Sequence, residues 1–371
     1  MVSNKTFFSI LKNKTVLVTG HTGFIGSWLT LWLNLIGSNV IGFSTKPPTK
    51  PSMFKILKLE KSITHVIGDV TNLSSFKKCI DTHKPDFVFH LAAQPLVRTS
   101  YEKPIDTINT NVMGSVNLLD CLRNQNKKTV CIIMTSDKCY DNSQQFFHKE
   151  SDPMGGYDPY SASKGATELI ISSYRNSFFN SNDSKNKISL ASIRAGNVIG
   201  GGDWADDRLI PDCIRSLISK KPISIRNPNG IRPFQHVLEP LSGMLYLATK
   251  MWKYPNLFSE SWNFGPLKKN KITVKDIISK MINLWGCGKW INLSKKNLLH
   301  ESNVLLLDSS KSKKYLNWIP SYSINESLLE TVTWYKSYVD NKNDMKEFSL
   351  QQINSYIIKA KKMKIDWALN T

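Results

Sequence analysis

A glycine-rich turn near the start of the chain constrains the fold more than any other feature. Residues 16–26 read VLVTGHTGFIG, so three glycines follow an apolar run and open an amphipathic segment. Gly20 permits a tight turn, Gly23 lets backbone N–H groups approach a pyrophosphate, and Gly26 allows a helix to pack closely on a strand. The unpaired N–H donors at a helix N-terminus can also hold phosphate charge. The predicted dinucleotide-binding residues of this turn are Gly20, Thr22, Gly23, Phe24, Ile25 and Gly26.

Strand-like apolar runs alternate with amphipathic segments through the first half of the chain, which gives the turn its context. The runs VLVTG, FVFHLAA and VCIIMTS lack a period-two alternation, as expected for strands covered by helices on both faces. Strands are predicted at 15–19, 40–44, 64–68, 87–90, 129–135 and 188–194, and helices at 24–35, 76–82 and 110–123. This order predicts an α/β protein with a doubly wound parallel sheet of the Rossmann type.

The alternation ends after the strand at 188–194, where the chain becomes rich in Gly, Asp and Pro. We predict that residues 1–195 form an NAD(P)-binding Rossmann domain, to which a segment at about 236–268 returns. Residues 196–235 and 269–371 are predicted to form a smaller mixed α/β substrate-binding lobe at the carboxyl edge of the sheet, where such sheets bind ligands. The Lys- and Asn-rich end of the chain predicts a solvated helix around 353–363.

The formal net charge is +20, from 49 Lys and Arg against 29 Asp and Glu. The basic residues are dispersed without long blocks, which favours a general lysine bias over a nucleic-acid-binding surface. No apolar run approaches the ~18 residues that a membrane span needs. The six cysteines stand singly, without the spacing of a zinc site or a disulfide framework. We therefore expect a cytoplasmic protein with no metal, membrane or nucleic-acid partner.

The ends of the next strands extend the predicted cofactor site. A carboxylate at 69, just after the third strand, can accept a hydrogen bond from an adenine amino group, and the small residues after the fourth strand leave room for a cofactor. The second strand ends VIGFSTK and has no acid to bind the ribose hydroxyls. NAD and NADP therefore both stay open, with Lys46 as a candidate phosphate partner. The further predicted cofactor contacts are Asp69, Val70, Leu91, Ala92 and Ala93.

Two short segments carry the predicted chemistry. Tyr160 and Lys164 are four residues apart on one helical face, where the ammonium can lower the pKa of the phenol. An activated tyrosine can take a hydroxyl proton while hydride leaves for a nicotinamide. Ser136, Asp137 and Lys138 follow a buried strand that ends at the same sheet edge as the glycine turn. Ser136 can bind the substrate oxygen, and the Asp-Lys dipeptide offers a proton donor and a candidate base.

These features together resemble the extended short-chain dehydrogenase/reductase family, through TGxxGxxG, the Ser136, Tyr160 and Lys164 triad and Asn111 in NTNVMGS. Longer matches resemble the branch of the family that dehydrates CDP-activated hexoses, and they run from about residue 16 to about residue 334. They are GHTGFIGSWL, PPTKPSMF, HLAAQPLVRTSY, TSDKCYDN, MGGYDPYSASKG, RAGNVIGGGDWADDRLIPD, RPFQHVLEPLSG, WNFGP and HES with LLLDSSK.

The resemblance implies an enzyme that removes water across carbons 4 and 6 of a nucleotide-activated hexose, with tightly bound NAD that is regenerated. Tyr160 would take the proton of the 4-hydroxyl, and Tyr160, Lys164 and Asn111 would contact the cofactor. Related dTDP-glucose dehydratases carry Asp-Glu after the serine or threonine, whereas this chain carries Asp137 and Lys138. Lys138 would then be the base at carbon 5, which requires its pKa to be lowered.

The same resemblance implies the substrate contacts. Arginines suit a diphosphate because they offer paired N–H donors. The implied contacts are Gln94, Arg98, Tyr101, Asn197, Arg208, Leu209, Arg232 and His300.

Several alternatives stay open at this stage. They are a dehydratase or an epimerase that acts on a different nucleotide sugar, and a basic protein that binds polyanions without catalysis. The helices around 112–123 and 161–175 form dimer bundles in the family, so the resemblance implies a homodimer or homotetramer.

Overall fold

The computed structural model describes residues 7–141, 147–180, 186–266, 272–293, 306–341 and 344–369. Its strands are β1 (Thr15–Thr19), β2 (Asn39–Ser44), β3 (Thr64–Ile67), β4 (Phe87–His90), β5 (Thr129–Met134), β6 (Phe147–His148), β7 (Ile188–Ala195), β8 (Val198–Ile199), β9 (Ile223–Ile225), β10 (Gln235–His236), β11 (Ser261–Phe264), β12 (Trp290–Asn292) and β13 (Leu306–Leu307). Its α-helices are α1 (Phe24–Ile36), α2 (Met53–Ile56), α3 (Leu73–His83), α4 (Val97–Glu102), α5 (Pro104–Ile108), α6 (Gly114–Arg123), α7 (Pro159–Ser177), α8 (Leu209–Ile218), α9 (Leu238–Lys253), α10 (Pro255–Phe258), α11 (Val274–Trp285), α12 (Ser310–Leu316), α13 (Ile324–Asp340) and α14 (Met345–Lys362). None of the described helices is both long and apolar enough to span a bilayer.

The central sheet has seven strands in the order β11-β7-β5-β4-β1-β2-β3, and every neighbouring pair runs parallel. The strand order reverses direction between β1 and β4, which pair from Val16 with Phe87 to Thr19 with His90. A crevice opens outside the carboxyl ends of two strands at such a reversal, and ligands bind there in open α/β sheets. The predicted doubly wound parallel fold is confirmed.

Both faces of the sheet are buried, which explains why its strands read as unbroken apolar runs. Val16 and Val18 of β1 belong to a large core cluster on one face, whereas Leu17 belongs to a second cluster on the other face. Helices α1 and α9 contribute to the first cluster, and α3 and α6 contribute to the second. The ends of the strands are thereby held in fixed positions between two helical layers.

Short parallel pairs carry the smaller lobe beside the carboxyl ends of the sheet strands. β8 pairs with β10, β9 pairs with β12, and β6 pairs with β13. Helix α8 contacts β9, α13 contacts β8 and β10, and α11 packs on α8 and α13, so the part of the chain after β7 mixes α and β structure as expected. The exact domain boundaries stay a prediction.

The C-terminal helix differs from its predicted solvated state. Ile353 and Tyr356 of α14 are fully buried in the large core cluster. The Tyr356 ring lies 6.0 Å from the Trp32 ring on α1 and stacks on Trp367 at 5.5 Å. The Lys-rich face is only one side of this helix, and the expectation of a solvated helix is wrong for the other side. Residues 345–368 therefore help to hold α1, the helix that follows the glycine turn.

Candidate active site

The glycine turn has the backbone geometry that a dinucleotide requires. Gly20 has a φ of 72°, and a Cβ there would lie 2.7 Å from the Ala92 nitrogen. A Cβ on Gly26 would lie 2.2 Å from the Gly20 carbonyl oxygen, so only glycine permits this contact of helix and turn. Helix α1 begins after Gly23, which has no side chain to cap the first N–H groups. The turn thus leaves donors and space for a pyrophosphate, and it fits a dinucleotide cofactor.

A hydroxyl at the end of β1 holds the loop after β4. The N–H groups of Leu91 and Ala92 both donate to the Thr19 Oγ1, at 3.1 and 3.2 Å. The Thr19 hydroxyl lies 2.9 Å from the His90 Nδ1 and donates to it, because its oxygen already accepts twice. Burial and the positive charge of Lys164 lower the pKa of His90 to about 3, so this ring is neutral. The predicted contacts at 91 and 92 are therefore fixed by two residues that the sequence did not identify.

The adenosine side of the predicted site combines one polar link with one turn. Thr22 Oγ1 lies 2.8 Å from Ser44 Oγ at the end of β2 and 3.2 Å from the Thr45 carbonyl oxygen, to which it donates. The exposed Asp69 accepts through Oδ1 from both the N–H and the hydroxyl of Thr71, at 2.9 and 2.8 Å. This carboxylate therefore caps its own turn. Its contact with an adenine stays a prediction.

The catalytic helix α7 begins next to the loop that follows β5. Asp158 caps the helix by accepting from the N–H and hydroxyl of Ser161, at 2.9 and 2.7 Å. This cap places Tyr160 in the first turn, where it is 8% exposed and hydrogen-bonded to Ser136. Ser136 donates to Asp137 Oδ1 at 2.9 Å and accepts from the N–H of Lys138 at 3.2 Å. The structure thus brings the predicted serine, aspartate and tyrosine together.

The predicted effect of Lys164 on the phenol pKa stays a prediction, because burial determines the net shift of Tyr160. Burial raises the pKa of Tyr160 to about 12, although the hydrogen bond with Ser136 and the charge of Arg208 oppose it. The Lys164 Nζ lies 6.0 Å from the centre of the Tyr160 ring and donates to the Met134 carbonyl oxygen at 3.4 Å. Burial lowers the pKa of Lys164 itself to about 8. Desolvation outweighs the favourable spacing of the pair.

Asp137 has the properties of a proton donor. It is 4% exposed, and burial raises its pKa above the ordinary value while Lys138, Ser136 and Arg232 oppose the rise. Its Oδ2 lies where a Cβ on Gly196 would come within 2.6 Å, so the glycine after β7 makes room for the carboxyl group. A carboxyl group with a raised pKa can hold the proton that general acid catalysis requires.

Asn111 connects two walls of the site. Its Oδ1 accepts from the Gln94 N–H at 2.8 Å, and its Nδ2 donates to the Gln94 carbonyl oxygen and to Ser163 Oγ, at 3.1 and 2.8 Å. The Gln94 side chain donates to the Leu96 carbonyl oxygen and the Thr107 hydroxyl, and it accepts from the Leu96 N–H. Both amide hydrogens of Asn111 are therefore taken by the protein. Asn111 and Gln94 therefore hold the two walls of the site together, and their direct contacts with cofactor and substrate stay predictions.

Two of the predicted diphosphate partners act electrostatically on the catalytic residues. Arg208 precedes α8, forms an ion pair with Asp203 at 3.0 Å and lowers the pKa of Tyr160. The charge of Arg232 likewise lowers the pKa of Asp137. Leu209 is the first residue of α8, and the carbonyl oxygen of Asn197 accepts from the Gln235 N–H at 3.1 Å. Both arginines therefore lie within electrostatic reach of the chemistry.

Two further predicted substrate contacts, Arg98 and Tyr101, lie on α4. Arg98 pairs with Asp207 at 3.2 Å, and Asp207 also pairs with Arg226 at 3.3 Å. The Tyr101 hydroxyl is buried and has no hydrogen-bond partner among the described residues. His300 lies outside the described residues. The ion pair of Arg98 joins the sheet side of the site to the smaller lobe.

Five residues that position the site residues were not predicted from the sequence. Thr19, His90, Gly196, Glu168 and Arg194 are all buried or enclosed and contact residues distant in the chain. Gly196 follows a strand and could have been identified from its place in RAGN, since a glycine there indicates a close approach. A buried ion pair leaves no local pattern in the sequence.

Comparisons with known proteins agree with this geometry. The sequence profile of the GDP-mannose 4,6 dehydratase family matches residues 17–331. The CDP-glucose 4,6-dehydratase of Salmonella typhimurium is 48% identical over 349 residues, which cover 93% of this chain and 97% of that protein. The UDP-glucuronate 4-epimerase of Thermodesulfobacterium geofontis is 27% identical, over 87% of this chain and 97% of that protein.

Solved structures show the same fold at lower identity. The UDP-glucose 4-epimerase of Thermotoga maritima with UDP-glucose has a TM-score of 0.74 and 21% identity, over 88% of this chain and 99% of that one. The dTDP-glucose 4,6-dehydratase of Bacillus anthracis with NAD has a TM-score of 0.72 and 20% identity, over 88% of this chain and 98% of that one. With a family profile that matches most of its length and a 48% identical relative of nearly the same extent, the chain belongs to the GDP-mannose 4,6 dehydratase family.

Proposed function

We propose that the protein is an NAD-dependent nucleotide-sugar dehydratase that converts CDP-D-glucose to CDP-4-keto-6-deoxy-D-glucose with loss of water. The observation that carries the reaction type is the buried Asp137, whose carboxyl group has a raised pKa and is hydrogen-bonded to Ser136 beside Tyr160. The 48% identity to the Salmonella typhimurium enzyme supports the cytidine nucleotide and the glucose. An epimerase needs no proton donor at carbon 6, so Asp137 favours a dehydratase.

The first group of residues acts at carbon 4. Ser136 binds the 4-oxygen, and Tyr160 takes the proton of the 4-hydroxyl as this carbon is oxidised to a ketone. A tyrosine with a pKa near 12 is protonated at neutral pH, so it must lose its proton to become the base. We expect the positive charges of Arg208, Lys164 and the oxidised nicotinamide ring to favour the phenolate once the ternary complex forms.

The second group acts at carbons 5 and 6. The carbon 4 ketone acidifies the carbon 5 proton, which Lys138 takes in its neutral form, and Asp137 gives its proton to the carbon 6 hydroxyl as it leaves as water. Lys138 is half-buried and follows Asp137 in the same short turn, so one loop presents both groups to the sugar. Lys138 returns its proton to carbon 5 when carbon 6 is reduced. The oxidation at carbon 4 and the reduction at carbon 6 balance, so the reaction needs no external oxidant.

NAD is the cofactor that this proposal requires, and when bound it would supply a reversible hydride acceptor. The N–H donors at the start of α1 would hold the pyrophosphate of NAD. The Thr19 hydroxyl fixes the N–H of Ala92 in the loop after β4. Ser44 at the end of β2 is hydrogen-bonded to Thr22. Crystals of a distant relative contain NAD, which supports NAD over NADP in a site whose sequence left both open.

One incubation tests the proposed reaction. The purified protein with CDP-glucose is expected to yield a product lighter by one water, with no net accumulation of reduced nicotinamide. Parallel incubations with dTDP-, GDP- and UDP-hexoses identify the preferred base by mass spectrometry. A product of unchanged mass would indicate an epimerase, and no turnover of any of these sugars would refute the proposed function.

The oligomeric state and location extend the proposal. Leu169 on α7, Phe178 directly after α7 and Met113 directly before α6 are large apolar residues that are 62%, 46% and 44% exposed. An exposed apolar face on these two helices supports a dimer or tetramer built through them. The six cysteines are free thiols, which is compatible with the cytoplasm as the place of work. The dispersed positive charge supports attraction of an anionic nucleotide sugar rather than of a nucleic acid.

A further inference from the structure

A buried cluster of charged and hydroxyl side chains lies behind the catalytic residues and takes no part in the steps above. Its centre is Glu168 on α7, one turn after Lys164 and only 3% exposed. The hydroxyl of Thr135, the residue before Ser136, donates to Glu168 Oε1. Ser192 Oγ on β7 donates to Oε2 at 2.8 Å. One carboxylate therefore joins the catalytic helix to the strand end that carries Ser136.

Arg194 completes the cluster from β7. Its Nη2 donates to Glu168 Oε2 at 2.7 Å, and the side chains of both residues are under 5% exposed. Its Nη1 donates to the Tyr140 hydroxyl at 2.6 Å and to the Glu150 carbonyl oxygen at 3.1 Å. Tyr140 directly follows the turn that carries Asp137 and Lys138. The ion pair thus holds the catalytic loop at both ends, through Thr135 and through Tyr140.

We propose that Glu168 and Arg194 are positioning residues of the dehydratase, an inference that rests on the function proposed above. Their ion pair fixes the distance between α7 and the loop after β5, and so fixes Tyr160 relative to Ser136. The charge of Glu168 also keeps Lys164 protonated. A buried ion pair contributes little net stability because desolvation offsets its attraction, so a role in geometry and charge accounts better for its presence beside the site.

Four titratable side chains face Lys164. They are Cys139 from the catalytic loop, His90 from β4, and Tyr160 and Glu168 from α7 itself. Burial holds the thiol of Cys139 neutral by raising its pKa, and His90 is neutral because burial lowers its pKa to about 3. Burial also raises the pKa of Glu168, but Arg194 and the two hydroxyl donors outweigh it, so this carboxylate is ionised. Glu168 is therefore the anion that acts on Lys164 within this group.

Glu168→Gln separates positioning from plain structural support. Glutamine keeps the shape and removes the charge. Its amide oxygen can accept at one of the two carboxylate positions, and its NH2 group donates at the other, where the hydroxyl of Thr135 or Ser192 must turn to accept. We expect the alkaline limb of kcat against pH to move about one unit lower, because an opposite charge of this kind shifts a pKa by about one to three units. KM should change little, since the hydrogen bonds of the ion pair go to Thr135, Ser192, Tyr140 and the Glu150 carbonyl oxygen.

Two further variants keep the test decisive if Glu168→Gln folds poorly. The double variant Glu168→Gln/Arg194→Gln removes both charges, leaves no unpaired guanidinium, and should show the same shift of the limb. Glu239→Gln is the matched control, because Glu239 is a buried carboxylate on α9, on the other face of the sheet. It accepts from the N–H groups of Ser321 and Tyr322 and from the Tyr356 hydroxyl. This control should lower the melting temperature and leave the alkaline limb in place.

A readout without turnover keeps the inference separate from the proposed function. Melting temperatures of the wild type, Glu168→Gln, Lys164→Met and the combined variant Glu168→Gln/Lys164→Met form a cycle that measures the coupling of the two charges. We expect coupling near neutral pH and its loss as pH rises through the folded Lys164 pKa of about 8, where the ammonium loses its charge. Additive effects at neutral pH, or a wild-type alkaline limb in both charge variants, would overturn the inference. An inactive wild type that still shows the coupling would refute only the dehydratase.

Discussion

Replacement of Gly196 by alanine tests whether Asp137 must stay where the structure has it. Gly196 follows β7, and its φ lies outside the left-handed region, so alanine fits its backbone. The added Cβ would lie 2.6 Å from Asp137 Oδ2 and 3.2 Å from its Cγ. Ordinary van der Waals contact begins at 3.4 Å, so the carboxyl oxygen must move by about 0.8 Å, the difference between 3.4 and 2.6 Å. The substitution therefore displaces the proton donor without changing its chemistry.

The expected loss follows from the size of this movement. A catalytic group misplaced by about 1 Å can cost about 100-fold in rate. Two factors of ten in rate correspond to about 2.7 kcal/mol of transition-state stabilisation. Asp137 also accepts the hydrogen bond of Ser136 at 2.9 Å, so its movement disturbs the group that binds the 4-oxygen. We expect kcat for CDP-glucose to fall about 100-fold, with little change in KM.

The assay counts product lighter by one water against time at saturating substrate. Gly230→Ala is the control, because a Cβ there meets the end of the Asn227 side chain at 3.2 Å, and this amide can move aside. The control should keep kcat within about twofold, and the melting temperatures of both variants show how much protein is folded. A folded Gly196→Ala variant with wild-type kcat would refute the assignment of Asp137 as the acid.

Three further perturbations test other parts of the proposal. Tyr160→Phe should lower kcat by about 10²- to 10⁴-fold, the usual range for a lost acid–base group, while Tyr254→Phe at an exposed site should not; equal rates would exclude Tyr160 as the base. Lys164 has a folded pKa of about 8 against 10.5 in the unfolded chain, so its buried charge costs up to about 3 kcal/mol below pH 8, and this cost disappears as pH rises to 10.5. Lys164→Met should therefore stabilise the protein near neutral pH and lose this advantage above pH 10.5 in urea unfolding, and a constant difference would contradict the burial argument. Leu169→Glu should reduce the mass measured by light scattering to that of a monomer, whereas Leu329→Glu, at a similarly apolar exposed position on α13, should not; an unchanged mass would place the interface elsewhere.

The sequence was sufficient for the local features of this protein. Unbroken apolar runs located the strands of the parallel sheet, because strands buried on both faces must be apolar throughout. The spacing of Gly20, Gly23 and Gly26 predicted the turn, since the positive φ of Gly20 and the contact of Gly26 with the Gly20 carbonyl oxygen are local requirements. The spacing of Tyr160 and Lys164 predicted a shared helix face, and α7 spans both residues.

Tertiary structure decided the properties that sum over distant neighbours. The pKa of Tyr160 rises because of burial, which no spacing along the chain reports. Asn111 is hydrogen-bonded to Gln94 and Ser163, and these partners from distant segments could not be read from its motif. The buried face of α14 exists because a distant helix, α1, offers tryptophan for it to cover. Periodicity and spacing are local and can be read from the chain, whereas desolvation and hydrogen-bond partners depend on which segments the fold brings together.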